Sequence, residues 1–599
     1  MTNIDENSIT NNDYEKELIL QVKNDYLAFR QKRFALEKQW ELNIDFFEGR
    51  QYSDISPKGE IVEWDKEYYW QSREVFNHIA PLIETRLAKF AGVRPVVSVR
   101  PSSDDDDETQ NAKIAESLLK SVFQKISFND TVSEVTRWSE LCGTGFYKIA
   151  WDKNGGEKLG VIEGGEVFQG EAVAVSVSPF EIFPENLSIS SIEEQNSIIH
   201  AYLSSVSAVK KSFGVSVVPD NLILTKNADS DAVVVIEKYS APTDDKPNGE
   251  LIIVAGNSLL HYGALPFINS KNGKRGYPFI KQVASSSAGA FFGTSVIERL
   301  IPVQRAFNAV KNRKHEFMNR ITMGVLAVED GSIDINELTE DGLSPGKILV
   351  YRQGSTPPQM MDNTTIPEVF EKEEEKLLNE FVIISGVSDI VSSKTEGGVS
   401  SGTALEILVE QDNERLLFVA EDIRNAYLKA SVMILKLYKQ FLTGVKAVKD
   451  LSDDDKNRVY YVDKSVITAD DVYLDSENEL MFSPRQKKEI LIKLYTTGLL
   501  FDENGKLPEV VKEKLLTLLG YKALDSSSGL CKLHQNKARA EHTVIINNGR
   551  VVDSVDNHAV HIEEHTRYYL GEFENLTENQ IKNLLDHVAL HQNALSVKS

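Results

Sequence analysis

Two stretches decide the architecture: residues 293–321, GTSVIERLIPVQRAFNAVKNRKHEFMNRI, and residues 368–385, EVFEKEEEKLLNEFVIIS. In the first, Val296, Leu300, Val303, Phe307, Val310, Phe317 and Ile321 recur at spacings built from three and four, which predicts one apolar stripe on a helix packed against a partner. Pro302 either kinks this helix or starts it afresh. The second stretch is free of Gly and Pro, and its charge is opposite. From Thr294 to Arg320, Arg299, Arg305, Lys311, Arg313, Lys314 and Arg320 exceed Glu298 and Glu316 by four; in the return, Glu368, Glu371, Glu373, Glu374, Glu375 and Glu380 exceed Lys372 and Lys376 by four. An antiparallel pair is therefore complementary. Residues 322–367 between them carry Gly and Pro punctuation around GVLAVED and KILVYRQG, a compact β insertion at the tip of the pair.

Downstream, GVSDIVSSKTEGGVSSG (386–402) holds four glycines and five serines and reads as a flexible loop. Thr403 and Glu406 then form a capping box, and no Gly or Pro follows until Gly444, so a helix of roughly 60 Å is expected. Upstream, Asp13–Glu48 reads as a long helix, Val75–Pro101 as helix then extended chain, and the region from Asp104 to Cys142 as helical. Between Gly143 and Val283 the period shortens, and FYKIAWD, AVAVSVSPFEIF, SIIHAYL, AVVVIEKY and ELIIVAG predict antiparallel strands. After RVYYV and DVYLDSENELMF, the chain from Pro484 onward is mostly helical. The fold class expected is α+β.

Composition sets the outer limits. With 599 residues, 41% apolar and 26% charged, the chain buries a substantial core and is neither a small stapled scaffold nor disordered. Sixty-six basic against ninety acidic side chains give a formal charge of -24, so contact with nucleic acid is local rather than general. Cys142 and Cys531 stand far apart in no CxxC pattern, which fits a reducing compartment. The polar, acidic N-terminus lacks a signal-peptide pattern and no apolar run approaches the eighteen or so residues of a membrane span, so a soluble, cytosolic chain with no membrane partner is expected.

Motifs with chemical meaning are few. GVSSG (398–402) and GLSPG (342–346) match G-x-S-x-G, but the first follows a Ser/Gly loop and the second has proline where the elbow's helix begins. HIEEH (561–565) matches H-x-x-E-H, with His558 on the same face and His587 and His591 forming another pair four apart. A metal-dependent hydrolase is the alternative this offers; the plainer reading, and the one expected, is the polar face of an interfacial helix. The four aspartates at 104–107 suit a helix N-terminus. No Walker A loop occurs. The sequence names no catalytic residue, metal or cofactor, and an enzyme is not expected.

Taken in order, WELNIDFFEGRQY (40–52), NHIAPLIETRLAKFAGVRPVVSVRP (77–101), RWSELCGTGFYKIAWD (137–152), GAFFGTS (289–295) and SGTALEILVEQDNERL (401–416) resemble portal proteins of tailed double-stranded DNA bacteriophages. DNHAVHIEEH (556–565) is similar to a His-bearing run near the end of some portals. The resemblance implies a ring, usually of twelve subunits, at one capsid vertex of the virion, assembled in the host cytoplasm. Through it a terminase packages double-stranded DNA, and a head-tail adaptor docks beneath; the major capsid or scaffold protein is a further partner. Mapped onto this sequence, residues 1–292 form the wing, 293–321 and 368–385 the two stem helices, 322–367 the clip and 386–402 the tunnel loop. Residues 403–483 are a long helix returning into the wing, and 484–599 a mostly helical crown. An anionic conduit lets DNA slide, and Lys311, Arg313, Arg320 and Lys394 are the candidate cations facing it. A non-portal virion scaffold protein built on the same helices is the further alternative.

Overall fold

The structure, a computed structural model, describes residues 6–64, 71–101, 106–162, 165–219, 231–268, 273–323, 325–333, 350–361, 367–387, 402–449, 459–468, 471–474, 492–501, 528–548, 553, 555–572 and 576–598. It is a mixed α+β chain with antiparallel sheets. Two compact units divide it, Met1–Met481 and Phe482–Ser599.

The first unit is organised by a five-stranded sheet in the order 258–263, 250–255, 232–240, 197–205, 182–184, every neighbouring pair antiparallel. Alternate side chains of a strand point to opposite faces. Val234 and Ile236 accordingly join Ile199, Ala201, Ile252 and Val254 beneath the helix Glu6–Glu48, which contributes Leu18, Val22, Tyr26 and Phe29. Val233 and Val235 face the other way, into a core shared with Trp40, Leu42 and Phe46 from the end of the same helix and with Ile79, Leu82, Ile297 and Leu300. Burial on both faces is why residues 232–236, AVVVI, are continuously apolar rather than alternating.

A second core lies under the helix Gly402–Phe441, whose Leu416, Val419, Ala420, Ile423, Tyr427, Ala430, Ile434 and Tyr438 follow the helical period. They pack on helices Asp106–Lys125 and Phe128–Cys142 and on Tyr147, Ile149 and Ile280 of a three-stranded sheet ordered 279–283, 144–152, 171–177. The region expected as one helical run to Cys142 is thus two helices. The break is Ser127, at φ 49, a left-handed conformation that nothing in the local composition announces.

The helix Val296–Met323 continues through Pro302, so the proline does not start it afresh. It opens on a capping box: Ser295 Oγ accepts from Ile297 N–H at 3.0 Å, and Ser295 N–H donates to Glu298 Oε1 at 3.2 Å. Along its flank an extended segment, residues 72–78, is fastened by side chains alone. The N–H groups of Ser72, Glu74, Phe76 and His78 donate to Glu316 Oε1, Asn312 Oδ1, Asn308 Oδ1 and Gln304 Oε1 at 3.0–3.1 Å. In return Gln304 and Asn312 donate to the carbonyls of Phe76 and Glu74 at 2.8 and 3.0 Å. Four helix residues rise about 6.0 Å and two extended residues about 6.6 Å, so helix side chains four apart meet every second strap residue.

In the second unit, helices Ser528–Asn548, His558–Glu572 and Glu578–Lys598 pack pairwise into a three-helix bundle. No described helix is long and apolar enough to cross a membrane.

Candidate functional site

Three places in the described residues concentrate charge or chemistry. The first is the helix pair Val296–Met323 and Val369–Ser385. Phe307 meets Phe381 and Phe317 meets Phe370, each at 6.1 Å between ring centroids, so the two helices run antiparallel. Lys311 Nζ lies 2.7 Å from Glu374 Oε2, and Lys314 Nζ lies 3.3 Å from the other oxygen. Burial acts to raise the Glu374 carboxyl, but the two lysines outweigh it and hold it below the usual carboxylate range. Of the four cations singled out in the sequence, Lys311 is therefore engaged across the pair and Arg313 is exposed. The Arg320 side chain and the whole of Lys394 lie outside the described residues. Beyond the helix end, Val325–Ala327 pairs antiparallel with Gln359–Met361 and closes the neck of the insertion.

The second place is a cavity of about 530 Å³ where this pair ends, lined by Arg86, Arg299, Ser385, Arg415, Phe418 and Asp422 among others. Arg415 Nη1 donates to the Ile383 carbonyl at 3.2 Å, and Val283 N–H donates to Asp422 Oδ2 at 2.6 Å. Phe418 is 87% exposed beside it.

The third is the interior of the C-terminal bundle. Helix positions that face a bundle core are ordinarily apolar. Here His558, His561 and His565 occupy that stripe on one helix, His587 and His591 on the next, and Glu541 and His542 on the third, all buried. His591 is central: its Nδ1 lies 3.0 Å from His558 Nδ1 and its Nε2 lies 3.1 Å from His587 Nε2. His561 and His565, both 0% exposed, have neither ring nitrogen within hydrogen-bond reach of a partner among the described residues. The nearest carboxylates to His561 are Glu541 at 3.6 Å and Asp556 at 3.7 Å. Burial, reinforced by neighbouring imidazoles, pushes His565 down to about 3 and His591 to about 4, so both rings are neutral at ordinary pH. Burial likewise lowers His542 to about 4.

Three sets of side chains here bring ligand atoms within 4.8 Å of one another: His561, His565 and His591; Glu541, His565 and His587; and His534, Asp556 and His561. The expectation of a polar helix face is thus corrected: the histidines are turned into the bundle. Glu564, the acid of the H-x-x-E-H pattern, is paired with Arg539 at 2.7 Å. The pattern at 558, 561 and 565 was visible in the sequence, whereas Glu541, His542, His534 and Asp556 were missed, because nothing in the sequence shows which third helix closes the bundle. The ladder of Gln304, Asn308, Asn312 and Glu316 was missed too, although amide side chains at spacing four inside an apolar helix are its signal.

No protein-family model matches this chain, and no curated protein matches it either.

Proposed function

We propose that this chain is the subunit of a phage portal, a ring through which double-stranded DNA passes. The observation that carries the reading is one run of elements. Two antiparallel helices of opposite charge enclose an insertion with a strand-paired neck, and a 40-residue helix returns over the second core. In this reading residues 1–292 and 403–483 are the wing, the helix pair the stem, 322–367 the clip, 386–402 the tunnel loop and 484–599 the crown. Arg313, Arg320 and Lys394 are the cations available to touch DNA in passing, whereas Lys311 serves the stem by binding Glu374. Twelve copies at -24 each carry a formal charge of -288, which keeps phosphates from adhering to the wall. Terminase, the head-tail adaptor and the capsid or scaffold protein are the partners this role requires, and the virion vertex its place. The chain is not an enzyme in this reading; hydrolysis through HIEEH has less support, because Glu564 is held by Arg539.

Ring formation tests it. Light scattering and negative-stain microscopy of the purified chain are expected to show closed rings, and twelve subunits of 67.1 kDa give about 805 kDa. A monomer at every concentration, with no rings on the grid, overturns the portal reading, and an open or irregular assembly favours a scaffold protein instead.

A further inference from the structure

A three-helix bundle is held by apolar side chains at its inner positions, and this one places five histidines on the facing sides of two helices. An uncharged imidazole still carries one donor and one acceptor, and leaving such an atom buried without a partner costs roughly 1–3 kcal/mol. His561 and His565 present four such atoms, and His542 Nε2 a fifth. Water could relieve one or two of these atoms, but five lie close together in one small interior. The group that accepts several neutral imidazoles at once is a borderline-soft divalent cation.

The distances agree. Zn–N bonds of about 2.0–2.1 Å in a tetrahedron set ligand atoms roughly 3.3 Å apart. The ligand atoms of His561, His565 and His591 lie within 4.8 Å of one another, so small shifts of these rings bring them to that spacing, and candidates for the fourth place stand beside them, with His587 Nε2 3.1 Å from His591 Nε2 and Glu541 Oε2 3.6 Å from His561 Nδ1. His591 also has the supporting contact a ligand needs: its other nitrogen faces His558 Nδ1 at 3.0 Å, which fixes the ring and leaves Nε2 for the ion.

We propose that the C-terminal bundle binds a transition-metal ion of the zinc type through His561, His565 and His591, with His587 or Glu541 completing a closed, tetrahedral, structural site. His565 is shared by the two overlapping sets and is the ligand whose loss removes both. The ion joins helices His558–Glu572 and Glu578–Lys598 directly, and through Glu541 it reaches Ser528–Asn548 as well. Because four protein ligands leave no open position, the site holds the bundle together and does not hydrolyse peptides. This inference is independent of the portal reading.

The test uses the full chain, stripped with a chelator, given zinc chloride and dialysed. About one zinc per chain is expected by elemental analysis, with a rise in the melting temperature of the C-terminal unit. His565→Gln should lower zinc affinity at least tenfold, while His261→Gln, an exposed histidine on a strand of the first unit, should leave it unchanged. Failure of the parent chain to retain zinc, or equal retention by folded His565→Gln, overturns the proposal. If His565→Gln does not fold, cobalt(II) bound to the parent decides. Intense ligand-field absorption of a four-coordinate nitrogen-rich site supports the proposal, and the weak spectrum of hexa-aquo cobalt overturns it.

Discussion

Arg86 and Glu140 meet through two parallel hydrogen bonds, Nε to Oε2 at 2.6 Å and Nη2 to Oε1 at 3.1 Å, with both side chains closed off from solvent. The remaining Nη1 donates to the carbonyl of Ser385 at 2.6 Å, the last residue of the helix Val369–Ser385. One guanidinium thus joins three helices, and its charge complements the carbonyl end of the third.

Removing one partner of such a pair strands the other charge. Arg86→Ala or Glu140→Gln is expected to cost about 3–5 kcal/mol of stability in the first unit. Urea denaturation reads this as a shift in midpoint at constant slope; a loss below about 1 kcal/mol would mean that water reaches the site.

The strap ladder makes a local prediction. Asn308→Leu removes the acceptor of the Phe76 N–H and the donor to Gln51 Oε1, and should cost roughly 1–3 kcal/mol. Hydrogen exchange resolved by residue should show the Phe76 amide opening faster while amides in the middle of Val296–Met323 hardly change. Unchanged exchange at Phe76 would refute the ladder's role.

Glu237 sets the acid limb. Burial acts to raise this carboxyl, yet Lys148 and His200 outweigh it and hold it well below its ordinary value of 4.5. Lys148 Nζ donates to Oε2 at 2.6 Å, Tyr239 OH donates to the same oxygen at 2.7 Å and Tyr202 OH to Oε1 at 3.2 Å. A folded value below the unfolded one gives stability that is present above about pH 4.5 and lost as pH falls toward the folded value. Glu237→Gln should therefore flatten the decline of melting temperature below pH 4.5, and a decline as steep as the parent's would exclude Glu237 as its source.

Gly143 offers a backbone test. At φ +85 it ends the helix Phe128–Cys142, and a Cβ there would stand 2.4 Å from the Gly293 carbonyl oxygen. Gly143→Ala should cost more than the roughly 1–2 kcal/mol of a left-handed alanine. Gly214→Ala, at φ +73 with nothing within 4 Å of its Cβ, should cost that alone. Equal losses of melting temperature in the two variants would show that the Gly143 contact relaxes freely.

Regular periodicity made much of the architecture legible. The stripe on Val296–Met323, the Gly- and Pro-free run that becomes Gly402–Phe441 and the apolar run of 232–236 all express burial by one side or both, which sequence records directly. What sequence does not record is which surfaces meet. Ser127 breaks a helix because Phe128 and Val132 must turn into the core beneath Gly402–Phe441, a demand set from far along the chain. The histidines at 561 and 565 could be seen as a pair, but their burial depended on Glu541 and His587 arriving from two other helices. Polar residues read as solvated by default, and both the ladder and the bundle interior defeat that default.

The strap on Val296–Met323 also behaves as a vernier. Its two scales differ by about 0.6 Å per division, roughly 6.6 against 6.0 Å, so three divisions accumulate a mismatch of about 1.8 Å. A hydrogen bond tolerates only a few tenths of an ångström, and flexible side chains must absorb the rest. They do so by lengthening reach toward both ends, from the short Asn308 and Asn312 in the middle to the longer Gln304 and Glu316 at the outer divisions. The graduation is therefore self-terminating: with side chains of these lengths a fifth mark would fall out of alignment.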